Sequence, residues 1–148
     1  LLKYMEPLII ASSLLFGREV VSQTISSSTK NILTGVTSIL DDEDFVFNRI
    51  LNECDLISKV EIINSYVQEL HNDASDFNES TKIALKDIED ILKKIENEIE
   101  EIKKQIKDHQ ELWFHKFRTP SYKSLLDNLL IHIKVLDERF NLLIKIKN

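Results

Sequence analysis

Glycine and proline are nearly missing: the chain has two of each in 148 residues, where average usage of roughly 7% and 5% would give about 10 and 7. Tight turns and phosphate-cradling loops depend on glycine backbone, so the shortage argues against β-sandwiches, Rossmann folds and P-loops. The one cysteine, Cys54, cannot close an intrachain disulfide, which fits a reducing compartment. No uninterrupted apolar run approaches the roughly 18 residues of a membrane span. The longest candidate, Pro7 to Gly17, is 11 residues and contains Ser12 and Ser13. The Arg18-Glu19-Val20-Val21 that follows lacks the small-residue pattern of a signal-peptide cleavage site. Arginine is scarce as well, 4 against 15 lysines, and the net charge of -6 argues against a nucleic-acid partner.

What is present points to helix. The chain is 43% hydrophobic and 30% charged, enough for one domain with a modest core over residues 1–148. Twenty isoleucines and ten asparagines beside the lysines are the usual mark of an AT-rich coding genome, as in some low-GC bacteria, protists and large DNA viruses. Charge is uneven along the chain. Residues 41–80 carry two basic groups against eleven acidic ones, a net of -9, and such a stretch favours a basic partner surface.

The strongest periodic signal lies in the third segment, 73–118. Leu85, Ile88, Leu92, Ile95, Ile99, Ile102, Ile106, His109 and Trp113 step by alternating threes and fours. This is an a/d seam that predicts close packing against a partner helix. The positions between are almost all charged or amide-bearing, with Glu89/Lys93 and Glu100/Lys104 in the favourable i, i+4 order. A helix from about 79 to 117 would be roughly 58 Å long at 1.5 Å per residue.

The fourth segment, 119–148, supplies that partner. Tyr122, Leu126, Leu129, Ile133, Leu136, Phe140 and Leu143 repeat the spacing, and Leu125, Leu130, Val135, Leu142, Ile144 and Ile146 widen the apolar face. Thr119-Pro120 separates the two seams, with threonine placed to cap and proline to open the second helix. A short turn there predicts an antiparallel hairpin, and folding the seams about Pro120 sets Ile99 opposite Phe140 and His109 within a turn of His132. One proline-kinked helix is the competing reading.

The first two segments are less regular. In the acidic segment 41–72, Asp41-Asp42-Glu43-Asp44 opens a helix that runs through Val46, Ile50, Ile57, Val60, Ile63 and Val67 to about Leu70. It closes near His71-Asn72-Asp73, with Asp73 or Ser75 placed to cap the next helix. Residues 1–40 read as two helices or one interrupted one. Six hydroxyls between Ser22 and Thr29 weaken helical propensity, and Gly17 and Gly35 are soft points.

Chemistry-bearing patterns are sparse. Asp41, Asp42, Glu43 and Asp44 lack the glycine and alternate spacing of a calcium loop and read as a solvated helix start. Four histidines and one cysteine are too scattered for a zinc site. Cys54, between Glu53 and Asp55, sits in a setting that raises thiol pKa and disfavours a nucleophile. Trp113, Phe114 and Phe117 beside His115, Lys116 and Arg118 read chiefly as closure of a bundle end, with a protein contact and then a nucleic-acid or lipid contact as the functional alternatives.

The expected fold is therefore all-α, a helical bundle built around a long antiparallel coiled-coil-like hairpin. The expected function is structural and non-enzymatic, without cofactor or metal: an assembly or adaptor subunit of a larger complex, for which a minor component of a viral particle is one setting. Its partners are other protein chains, in homo- or hetero-oligomers, in an intracellular or particle-associated location. Leu85, Ile88, Trp113, Phe114, Phe117, Asp41, Asp42 and Asp44 are the candidate interaction residues. Leu85 and Ile88 enter because the seam outreaches its partner segment there and must be covered by the second helix or by another chain. From this the isolated chain is expected not to be a stable monomer. The rival reading is a membrane-associated helical protein whose Leu8–Phe16 stretch contacts lipid.

Overall fold

A chain with so few turn-forming residues has little choice but to run in long helices, and it does. The structure, a computed structural model, describes residues 2–40, 45–73, 77–111 and 123–148, with side chains from residue 20 onward except at 40, 45–47 and 110. Five α-helices and no strand occur among the described residues: α1 (Leu2–Leu40), α2 (Phe45–Cys54), α3 (Leu56–Asn72), α4 (Glu79–Gln110) and α5 (Lys123–Lys147). The all-α bundle expected from the heptad pattern is the fold observed.

The seam of α4 is buried from Leu85 to Ile106, and His109 beyond it is half-buried. Ile88, Leu92, Ile95, Ile99 and Ile102 are almost completely enclosed, with Leu85 and Ile106 close behind. Ala84 and Ile91 are buried too, so the apolar face is wider than a two-stranded seam needs. That width matches its neighbours, because α4 packs against both α5 and α1. Helix α1 also packs on α3, and α3 on α5, which closes a four-sided arrangement with consecutive α3 and α4 at opposite corners.

Helix directions follow from the cross-contacts. Asn31 meets Glu96 and Gly35 meets Ile99, so α1 and α4 run parallel. Lys59 meets Asp137 and Tyr66 meets Phe140, so α3 and α5 are parallel. Glu98 meets His132 and Asp87 meets Arg139, so α4 and α5 are antiparallel. A single kinked helix over 79–147 is thereby ruled out. The pairing is nevertheless offset from a fold about Pro120: His132 stands where a residue near 141 was expected, so Ile99 does not face Phe140 and His109 does not adjoin His132. The cause is where the helices stop. Helix α4 ends at Gln110 and α5 begins at Lys123, which moves the midpoint of the hairpin toward residue 116. The Thr119-Pro120 cap lies outside the described residues.

Four further details depart from the sequence reading. Residues 2–40 form one uninterrupted helix. Two of its hydroxyls are absorbed locally, Thr29 Oγ1 donating to the Ile25 carbonyl at 2.8 Å and Thr37 Oγ1 to that of Leu33 at 2.7 Å. Gly35 is a point of close approach rather than a soft one, since a β-carbon there would stand 2.6 Å from Ile99 Cγ2. The single helix expected over 41–72 is broken at Asp55, whose φ of 54° and ψ of 40° are left-handed. Asp is among the few non-glycine residues that tolerate that region. The start of α4 is capped by Asn78, not by Asp73 or Ser75: Asn78 Oδ1 accepts from the Thr81 amide and from Thr81 Oγ1, both at 2.8 Å. Asp73 instead ends α3, its amide donating to the carbonyls of Glu69 and Leu70.

Candidate functional site

Several polar side chains join one helix to another. Ser22 Oγ donates to Gln68 Oε1 at 3.0 Å, and Gln68 Nε2 donates back to the Ser22 carbonyl at 3.2 Å, which ties α1 to α3. Lys59 Nζ reaches Asp137 Oδ2 at 2.8 Å, tying α3 to α5. On the hairpin, Arg139 Nη1 donates to the Asp87 carbonyl at 2.6 Å, and His132 Nδ1 lies 2.5 Å from Glu98 Oε1. Both groups of the last pair are largely enclosed between α4 and α5.

A groove of about 320 Å³ runs between α1 and α4, lined by Val20, Gln23, Thr24, Ser27, Ser28, Asn31, Lys93 and Glu96. It exists because α1 presents serine and threonine where larger residues would fill the space. Asn31 Nδ2 donates to Glu96 Oε1 at 2.7 Å across it. The lining offers hydroxyl, amide, ammonium and carboxylate groups for hydrogen bonding. Among the described residues no group of three or more histidine, cysteine, aspartate or glutamate side chains could hold a metal ion.

Titratable groups are shifted by ordinary causes. Burial pushes the Cys54 thiol above its usual range, with nearby Asp55 adding the smallest contribution in the same direction. The direction is the one read from the sequence, but the dominant cause is desolvation rather than the flanking acids. Burial also raises the Tyr66 hydroxyl, whose ring stands edge-on to Phe140 at 5.5 Å. The carboxylates of Glu89 and Asp90 hold the Lys86 ammonium above its ordinary value, Glu89 contributing most.

The sequence-derived interaction residues divide in two. Leu85 and Ile88 are 5% and 0% exposed inside the core of the chain itself, so the same molecule covers the seam end for which the second helix or another chain was the expected cover, and α4 packs on α5 and α1. Asp41, Asp42, Asp44, Trp113, Phe114 and Phe117 lie outside the described residues, as do the side chains of Leu8–Phe16. No described helix is long and apolar enough to cross a membrane.

Apolar surface appears elsewhere. Ile62 on α3, Ile83 on α4 and Ile131 and Leu142 on α5 are each more than half exposed. By the sequence pattern, Leu142 belongs to the wide inner face of α5. It points out because the inner stripe, Leu126, Leu129, Ile133, Leu136 and Leu143, already occupies the arc that faces α3 and α4. No family model matches the chain, and neither a curated protein nor a solved structure is similar to it.

Proposed function

We propose that the protein is a non-enzymatic structural or interaction subunit that binds other protein chains through the outer faces of its helices. One observation carries this reading: four large aliphatic side chains, Ile62, Ile83, Ile131 and Leu142, stand 52–59% exposed on a chain whose own core is already filled. The exposed half of each of these side chains gains nothing for the fold, and covering it with a partner contributes about half of the roughly 1.5–3 kcal/mol of full burial. The interior polar contacts support the same role, because they fix the helices relative to one another and hold those faces rigid. A subunit of a larger assembly suits a chain of this kind, and its isoleucine-, lysine- and asparagine-rich composition suits a minor component of a particle encoded by an AT-rich genome.

The test is affinity capture from the native source with the intact chain and with a variant carrying Ile62→Lys, Ile83→Lys, Ile131→Lys and Leu142→Lys. Partners retained by the first and lost by the second, with unchanged helical content, are expected. Identical sets of captured proteins would remove the reading.

A further inference from the structure

The outward face of α5 has an order that neither the core nor the polar contacts use. Asp127, Ile131, Lys134, Glu138, Leu142 and Lys145 are all exposed and lie at spacings of four, three, four, four and three along one stripe. In chemical terms the stripe reads acid, apolar, base, acid, apolar, base. Reversed in direction it is its own complement. Laid antiparallel on an identical stripe about a two-fold axis near residues 136 and 137, Ile131 meets Leu142, Asp127 meets Lys145 and Lys134 meets Glu138, each pairing occurring twice.

We infer that this face binds a second copy of the same chain, forming an antiparallel two-fold dimer through α5. Three observations favour a copy over an unrelated protein. The complementarity is internal to one helix, as an isologous contact requires. All six side chains stand on a straight stripe of about 27 Å, given 1.5 Å per residue. None of the four charged groups makes an ion pair with another described residue of its own chain, so each is free to meet its complement across the axis. Threes and fours in this pattern are also what lets two helices interdigitate along a seam. With two apolar anchors per copy the contact falls at the small end of interfaces, below the roughly 1,200–2,000 Å² of stable complexes, and the dimer is a weak one that further partners reinforce. The inference names one partner for the outer faces described above and so shares their reading as interaction surfaces, but its test uses purified chain alone.

Sedimentation equilibrium on the full chain over a range of concentrations gives that test, with two charge-reversal variants. Glu138→Lys places lysine against lysine at both Lys134–Glu138 contacts, and Lys134→Glu places acid against acid. Each variant alone is expected to self-associate at least roughly tenfold more weakly than the natural chain, since like charges are then juxtaposed twice. Mixed in equal amounts they restore opposite charges at both contacts, and the mixture is expected to dimerise about as well as the natural chain. The changed residues are exposed, and unaltered circular dichroism confirms that each variant folds. A natural chain that remains monomeric throughout would overturn the inference, as would variants that associate unchanged or a mixture no tighter than its components. Lipid vesicles or a lysate protein bound by a monomeric chain would count against it too, while leaving the broader interaction role standing.

Discussion

Gly35 on α1 faces Ile99 on α4 so closely that a β-carbon on the glycine would lie 2.6 Å from Ile99 Cγ2. Glycine in mid-helix ordinarily costs roughly 0.5–1 kcal/mol relative to alanine, so its presence here is explained by the helix contact. Two parallel helices approach one another at the level where the seam is most deeply buried. Gly35→Ala is expected to destabilise the protein by about 1–3 kcal/mol in spite of the better helix former, as overpacking does. Ile99→Leu removes the branched methyl that the new carbon meets. The double variant is therefore expected to be less unstable than the sum of the two singles, and urea denaturation of all three measures the difference.

Asn78 is the described cap of α4, accepting from both the amide and the hydroxyl of Thr81. Asn78→Ala is expected to cost about 0.5–2 kcal/mol, whereas Asn78→Asp keeps the acceptor and adds a charge favoured at a helix start. Thermal melting of the pair should place the aspartate variant at or above the natural chain and the alanine variant below it.

How far such details can be read from sequence depends on whether they are local. The α4 seam was legible because one helix face carries isoleucine or leucine at every third or fourth position, and burial follows directly. The break at Asp55 was masked by the absence of glycine or proline nearby. A phase slip marks it all the same: the buried residues Leu51 and Leu56 are five apart, a step that one continuous helix cannot keep on a single face. The tight contact at Gly35 and the Ser22–Gln68 bridge depend on which helix lies across the way, and no local pattern encodes that. The same limit explains the candidate surface. Leu142 looks like a core residue in a list of apolar positions, and only the angular position of the inner stripe reveals that it faces outward.

The left-handed turn at Asp55 makes its own prediction. Its side chain forms no capping hydrogen bond, so the residue contributes chiefly by tolerating φ of 54°. Asp55→Gly is expected to leave stability unchanged or raise it, because glycine adopts that region without steric cost. Asp55→Val is expected to lower it by at least about 1 kcal/mol, since a β-branched residue does not. Denaturant midpoints should place the glycine variant at or above the natural value and the valine variant below it.

Cys54 is predicted to be an unreactive thiol. Burial raises its pKa in the folded chain above the ordinary thiol value, so the thiolate is rarer at neutral pH and alkylation is slow. The sign for stability follows: the folded state favours the neutral form, its contribution is fully present below the unfolded pKa, and it is lost as pH rises through the higher folded one. Labelling by an aromatic disulfide reagent should be slower in the native protein than in denaturant at every pH up to the alkaline range, with the midpoint of its pH profile displaced upward. Fast labelling at neutral pH would point to a reactive thiol instead.

The central claim is a division of labour: inner seams hold the fold and outer faces are left for partners. Ile99 and Ile131 carry the same side chain, 0% exposed on α4 and 59% exposed on α5. Replacing each with alanine and measuring the free energy of unfolding on the monomeric protein at low concentration compares the two directly. Ile99→Ala is expected to cost roughly 2–5 kcal/mol through the cavity it leaves, and Ile131→Ala to stay within about 0.5 kcal/mol. Equal losses at the two positions would contradict the account, because the outer face would then be part of what holds the chain together.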